Sequence, residues 1–313
     1  MRKPLHGVLV IDKPAGPTSH DVVANLRRTL RTRAIGHAGT LDPAATGVLV
    51  VVVGEATKLS PFLTEQHKSY VATVSFGKGT TTLDAEGEVT EERSLSPELL
   101  EELANVARGE RPSGILARAL AEELRRREQV PPAFSAIKQR GRPVHERARR
   151  GEVVELAPRP VEVASIEVVG ATESTLTVRI EVSKGYYVRS FARDLGASLD
   201  APAHLTYLRR TQSGPFSVDE AIDPSSSDEA LRAALVPLAD AACRVMPCAR
   251  LNTAGEKRAR QGKRLRREDF ITCPPEGAAL SAWLAEDGAL VAIGVERSEG
   301  EYAVQRGFVE LPA

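Results

Sequence analysis

At 313 residues, with 42% hydrophobic and 27% charged side chains, the chain has the composition of an ordinary folded protein and room for about two domains. Lys plus Arg and Asp plus Glu both number 42, so net charge selects no class of partner. No apolar run approaches the ~18–20 residues of a membrane span, and the apolar stretch after the basic N-terminal residues stops at Asp12, too soon for a secretory leader, so a cytoplasmic protein without membrane contact is expected.

In chain order, residues 6–11 predict a strand that stops at the turn 12–17. Thr18 or Ser19 then offers an N-cap for a helix to about Leu30, with Val22, Val23, Leu26 and Leu30 at helical spacing. Residues 35–46 read as a polar loop, 48–53 (VLVVVV) as a strand buried on both faces, and about 56–63 as a helix. Tyr70, Ala72, Val74 and Phe76 alternate with Val71, Thr73 and Ser75, which predicts a strand ending at a turn over 77–79. Helices follow over 97–107 and 115–128, with a hinge at 109–114. Strands are expected over 161–169 and 175–182, a helix over 187–199 and a strand over 205–209. The mixture lacks a regular βαβ repeat, so it fits an α+β fold with a largely antiparallel sheet flanked by helices. Residues 224–228 (PSSSD) resemble a linker. A basic helix over 253–261 and strands over 289–296 and 302–309 then form a small β-rich accessory domain.

Charge is segregated along the chain. Residues 250–267 hold eight basic side chains and one acid, residues 138–150 six and one, and Arg27, Arg28, Arg31 and Arg33 make a third cluster. Each cluster is as well explained by a solvated helix face, but the three together point toward nucleic acid. Cys243, Cys248 and Cys273 lack C-x-x-C spacing, so no metal is expected and all three are read as small buried apolar side chains.

Several chemistries fail on inspection. FGKGTTT (76–82) has Gly79 where a phosphate-binding loop needs Ser or Thr after its Gly-Lys pair. No G-x-S-x-G elbow exists, and His145-Glu146 lacks the second histidine of H-E-x-x-H. What remains is GHAGTLDPAATG (36–47), which packs His37, Thr40, Asp42 and Thr46 among glycines directly before the buried strand. A carboxylate held by a tight loop at a sheet edge suits catalysis, but an Asp before a Pro more often initiates a plain turn.

That loop belongs to a larger pattern. HGVLVIDKPAGPTSHDVV, RAIGHAGTLDPAATGVLVVVVGEATKL, KSYVATVSFG, DAEG, PPAFSAIK, SKGYYVRSFARDLG and HLTYLRR follow one another through about residues 5–211. Together they resemble the TruB family of tRNA pseudouridine synthases, and the basic tail is similar to the PUA domain of many members. The resemblance implies a pseudouridine synthase fold over 1–240, with an RNA-gripping insertion at about 78–150, and a PUA-like RNA-binding domain over 248–313. It implies an isomerase that converts uridine 55 in the T-arm loop of tRNA to pseudouridine, without cofactor or metal, as a monomer with no obligate protein partner.

The same resemblance assigns roles residue by residue. Asp42 matches the family's essential aspartate, Tyr70 the tyrosine that stacks on the uracil, and Arg189 the arginine that keeps the carboxylate charged. Tyr187 and Leu208 match pocket-lining positions, and His37 the histidine that fills the gap left by flipped bases. Lys13 and Pro14 match the loop supporting the site, while Asp84 and Lys138 match positions that engage RNA. The chain departs from the family at Thr80-Thr81-Thr82, where many members have T-D-T, at Phe134 in place of a frequent tyrosine, and in extra residues over 113–129. An RNA-binding module without catalysis is the competing expectation, and a glycoside hydrolase would need a second acid that the loop does not offer.

Overall fold

The computed structural model describes residues 5–134, 138–139, 142–143 and 156–309. The chain divides into two compact units, one of residues 1–43, 47–66 and 213–313, the other of residues 44–46 and 67–212. Among the described residues no helix is long and apolar enough to cross a membrane.

The first unit is organised by its run of valines. β-Branched side chains favour extended backbone, and a strand that is apolar on both faces must be covered on both. Val48 to Val53 of the strand Thr46–Val53 are accordingly buried without exception. This strand pairs antiparallel with Gly7–Lys13, Val8 opposite Val52 and Ile11 opposite Leu49, and Val236–Pro237 pairs with Gly7–Lys13 in turn. The predicted 35–46 loop is partly sheet, because Ile35–His37 pairs with Val51 to Val53. Three residues containing a glycine and a histidine carry no strand signal; the buried Ile35 and a waiting strand edge decide the matter.

The helix Ser19–Thr29 starts where predicted, since Thr18 and Asp21 exchange side-chain and backbone hydrogen bonds in a capping box. The helix expected over 56–63 is split into the 3-10 turn Gly54–Leu59 and the short helix Ser60–Thr64, with Pro61, which has no N–H to donate, in its first turn. Residues 224–228 are not a loose linker. Ser227 caps the helix Asp228–Ala233, and the Asn25 amide holds the Pro224 carbonyl at 3.2 Å.

Residues 248–309 contribute a six-stranded sheet in the order Leu265–Arg266, Glu301–Gly307, Leu290–Ser298, Ser281–Leu284, Cys248–Leu251, Phe270–Thr272. Its centre is Trp283, fully buried, with Phe270 and Tyr302 edge-on at 5.4 and 6.4 Å. The indole N–H is satisfied by the Ser281 hydroxyl at 2.9 Å. This sheet also shares an apolar core with the strands described above. Leu290, Ile293 and Phe308 cluster with Val8, Val50, Leu59 and Leu238.

The cysteines differ from expectation. Cys243 is exposed at the end of the helix Leu238–Val245 and forms a disulfide with Cys248, while Cys273 is a half-buried free thiol. The turn through Met246 and Pro247 reverses the chain and leaves the two Cα atoms 5.5 Å apart, within bridging distance.

The second unit is built on strands in the order Val163–Ala171, Thr175–Val182, Lys68–Phe76, Ala203–Ser213, with the first three paired antiparallel. Strict alternation puts Tyr70, Ala72, Val74 and Phe76 on the buried face. The helices Pro97–Ala107 and Gly114–Leu124 pack on Val163–Ala171, and Val188–Ser198 packs on Lys68–Phe76 and on Gly114–Leu124. The helix predicted to reach 128 ends at Leu124, and Glu128–Gln129 becomes a short strand against Arg159–Pro160.

Gly294 lies opposite Ser281 in the C-terminal sheet, and a methyl group there would fall inside the Trp283 ring. Gly294→Ala is expected to destabilise the protein by about 1–3 kcal/mol through overpacking, read as a lower urea midpoint. An unchanged midpoint would show that the indole can move aside.

Candidate active site

In the first unit the loop around Asp42 is held from both sides. Lys13 ends the strand Gly7–Lys13 with its side chain fully buried, an arrangement that is costly unless the ammonium finds acceptors. Its Nζ donates to the Pro14 carbonyl at 2.8 Å and to the Pro43 carbonyl at 3.0 Å. The Gly16 amide reaches the same Pro43 oxygen at 2.9 Å, with φ at 106°, a conformation that glycine adopts without steric cost. Leu41 is gripped by one hydroxyl: its N–H donates to Ser19 Oγ at 2.9 Å, and that Oγ donates to the Leu41 carbonyl at 3.0 Å. Asp42 is half-buried between these two clamped neighbours. His37, also half-buried, ends the strand Ile35–His37 and meets His20 edge-on at 5.3 Å. Pro14 is exposed beside Lys13.

The second unit carries the other expected residues. Tyr70 lies in Lys68–Phe76, opposite Ile180, on the buried face. Arg189 sits in the first turn of Val188–Ser198 and is buried. Its guanidinium donates to the Thr82 carbonyl at 3.0 Å and the Phe134 carbonyl at 2.9 Å, and faces the Asp84 carboxylate at 3.5 Å. Asp84 in turn takes the Thr82 hydroxyl at 2.5 Å and the Glu86 amide at 3.1 Å. Both the Thr82 carbonyl and the Asp84 carboxylate reach Arg189 across Leu83, whose φ of 64° costs a residue with a side chain about 1–2 kcal/mol. Tyr187 is the half-buried N-cap of the arginine helix, and Leu208 is half-buried in Ala203–Ser213, where its carbonyl takes the Thr46 hydroxyl at 3.5 Å. The side chain of Lys138 lies outside the described residues; its backbone pairs with Pro143 in a short hairpin.

Sequence reasoning passed over the residues behind Arg189. Glu123 and Arg126 form an ion pair next to Tyr186, whose hydroxyl is 3.5 Å from Glu123. Burial pushes the Glu123 carboxyl above its ordinary range and, with the Glu123 charge added, does the same to the Tyr186 phenol. Gln129, buried, bonds to the backbone of Tyr187. Glu123 and Arg126 stand at the i,i+3 spacing that sequence could have shown, whereas no motif or period marks the contacts to Tyr186 and Tyr187, 63 and 58 residues away.

A model of the TruB family pseudouridylate synthase N-terminal domain matches residues 27–188, a span that includes His37, Asp42, Tyr70, Asp84 and Tyr187. The tRNA pseudouridine synthase B of Thermobifida fusca is 42% identical over 302 residues, covering 93% of this chain and 95% of that protein. The chain belongs to the TruB family. A second relative, tRNA pseudouridine synthase B of Burkholderia mallei, is 39% identical over 312 residues, with 97% of each chain covered. Among solved structures, a chain of a Cbf5–Nop10–Gar1 complex is similar with a TM-score of 0.68 at 25% identity, covering 97% of this chain and 84% of that one. A chain of an H/ACA RNP bound to a substrate RNA containing 2′-deoxyuridine is similar at TM-score 0.67 and 24% identity, covering 97% and 86%. The fold is that of a pseudouridine synthase with a small β-rich, PUA-like domain at its C-terminal end.

Within this TruB-family fold the grip of Lys13 on Pro14 and Pro43 has a measurable consequence. Lys13→Met keeps the aliphatic stem and deletes the donor, so the Pro14 carbonyl loses its ammonium partner and the Pro43 carbonyl is left with the Gly16 amide. The expected loss is about 1–3 kcal/mol of stability, seen as a lower melting temperature, together with slower turnover at saturating RNA. A variant that melts and turns over like the parent would show that the loop holds itself.

Proposed function

We infer that this chain isomerises uridine to pseudouridine in tRNA, at uridine 55 of the T-arm loop. The observation that carries the reading is the likeness, over nearly the whole chain, to proteins named tRNA pseudouridine synthase B. The reaction breaks the C1′–N1 bond, turns the uracil and joins C1′ to C5. N1 gains a proton and C5 loses one, so no electron leaves or enters.

Asp42 supplies the carboxylate, which must be ionised whether it attacks the sugar or drives a glycal route. A loop clamped at Leu41 and Pro43 suits that task, because the carboxylate then needs little reorganisation during the reaction. Arg189 supplies the positive charge that favours ionised carboxylates in the site. Tyr70 stacks on the flipped uracil and relays the C5 proton. Tyr187 and Leu208 line the pocket, His37 fills the space the bases leave, and Lys13 with Pro14 supports the aspartate loop. Asp84 and Lys138 belong to the RNA-engaging insertion of about residues 78–150. Residues 1–240 form the catalytic part, and 248–313 act as a PUA-like RNA-binding domain.

The enzyme acts as a monomer in the cytoplasm, without an obligate protein partner. The 39–42% identical relatives carry the name of a tRNA synthase, whereas the Cbf5–Nop10–Gar1 chain stands at 25%.

Tritium release from a tRNA transcript labelled at uridine C5 tests the reaction and the carboxylate together. Release mapped to the T-loop uridine is expected from the parent, and Asp42→Asn should be slower by at least about a thousandfold, ~4 kcal/mol of barrier. Tight binding with no release from the parent would favour an RNA-binding module and demote Asp42 to a turn residue.

Binding itself should respond to the basic helix Thr253–Arg260 and the turn after it, where Lys257 and Lys263 are exposed. Replacing both with Ala is expected to weaken tRNA binding and to reduce the slope of log affinity against log salt by about 1.5, with turnover retained at saturating RNA. An unchanged slope would remove this face from the interface.

A further inference from the structure

The chain from Glu123 to Phe134 meets the start of the arginine helix, where Gln129 satisfies the Tyr187 N–H that the helix leaves open. Gln129 also adds a second donor to the Tyr187 carbonyl, which already accepts from the Phe191 N–H at 3.1 Å. An α-helix begins with N–H groups that have no internal partner. Tyr187, the N-cap of Val188–Ser198, offers no capping side chain, and Ser190 donates its hydroxyl to the Val130 carbonyl at 3.0 Å instead of reaching back to the cap. Gln129 takes over from 58 residues away. Its Oε1 accepts the Tyr187 N–H at 2.8 Å, and its Nε2 donates to the Tyr187 carbonyl at 3.2 Å. This is the service that Glu or Gln performs from inside the helix in a capping box, delivered here by a side chain 2% exposed, where water has little access to replace it.

The surrounding contacts keep Gln129 itself in place. Val130 also accepts from Arg193 at 3.0 Å, and Phe134 accepts from Arg189. On the other side, the Arg126 guanidinium grips Glu123 with two N–H groups, and Glu123 faces the Tyr186 hydroxyl. The helix Gly114–Leu124, which lies in the segment that departs from the family pattern, is anchored at its start by the Glu102 carboxylate, on the amides of Ile115 at 2.7 Å and Leu116 at 3.0 Å. The extra segment therefore buttresses the helix that carries Arg189.

We propose that Gln129 is a positioning residue for the isomerisation: by clamping both sides of the Tyr187 residue it sets the direction in which Tyr187 and Arg189 leave the helix. The proposal rests on the function inferred above, and two variants test it. Gln129→Leu has similar bulk and makes neither hydrogen bond. Gln129→Glu, when its carboxyl is neutral, has a donor and an acceptor in the amide's places; when ionised it has acceptors only.

Tritium release at saturating tRNA is measured across pH for parent and variants, together with tRNA affinity and thermal melting. Gln129→Leu should lose about a hundredfold in kcat with tRNA affinity unchanged, and its ratio to the parent should not vary with pH. The ratio for Gln129→Glu should climb toward one as pH falls, because protonation restores the donor to the Tyr187 carbonyl. A side chain that only supports folding would lower the melting temperature and leave both the kcat of folded protein and the pH ratio untouched. Parent-like kcat in Gln129→Leu, or a flat ratio in Gln129→Glu, overturns the proposal. If Gln129→Leu does not fold, the pH ratio of Gln129→Glu decides alone. A parent that releases no tritium sinks the isomerase reading, and the role of Gln129 with it.

Discussion

An ammonium group buried at the end of a strand is the constraint on which the first unit turns. Lys13 cannot keep its charge away from water unless oxygen atoms close around it, and the carbonyls of Pro14 and Pro43 are among those that do. One of these lies next to Lys13 in sequence, and the other immediately follows Asp42. Meeting the electrostatic demand of the lysine therefore draws the aspartate loop onto the strand end. The strand must in turn be sealed by the valines of Thr46–Val53, which is why the loop is followed without pause by a run of apolar residues. Core packing and placement of the carboxylate are two results of one arrangement.

The second unit solves a similar problem with a guanidinium. Arg189 is buried, and its planar fork meets two backbone carbonyls and a carboxylate contributed by separate segments. The left-handed backbone at Leu83 is the strain accepted in presenting two of these acceptors together. Gln129 completes the same region from the backbone side. Charged groups in both units are thus steadied largely by main-chain atoms, whose positions depend on the fold more than on the identity of neighbouring side chains.

What was legible in the sequence was local. The helix expected over 97–107 forms as Pro97–Ala107, where Ser96 caps it and Leu99, Leu103 and Val106 are buried, and the valine strand follows from its composition. The alternation around Tyr70 gave the right buried face because a strand has a single period. Ile35–His37 was hidden, since a three-residue strand is specified by the edge it joins. The Cys243–Cys248 bond depends on the reversal at Met246 and Pro247, which spacing alone does not disclose. For the candidate site, Asp42 and Arg189 stood out through the family pattern rather than through composition. Gln129 stood out through nothing, since its meaning lies in the Tyr187 backbone far along the chain, and Glu123 shows in sequence only its pairing with Arg126, not the Tyr186 phenol it faces.

The first unit is discontinuous: it joins residues 1–66, less 44–46, to residues 213–313. During synthesis, the strand Gly7–Lys13 leaves the ribosome long before Leu238, Leu290 and Phe308 exist to cover its surroundings. The second unit, residues 44–46 and 67–212, is nearly contiguous and can form most of its structure while the earlier valines still wait. Contacts of such long sequence separation slow folding, and an exposed run of six apolar residues is prone to pair with other chains in the interval. The arrangement thus makes the nascent chain a natural client for chaperones, and a stop codon late in the message would harm the most N-terminal strand as much as the tail it removes.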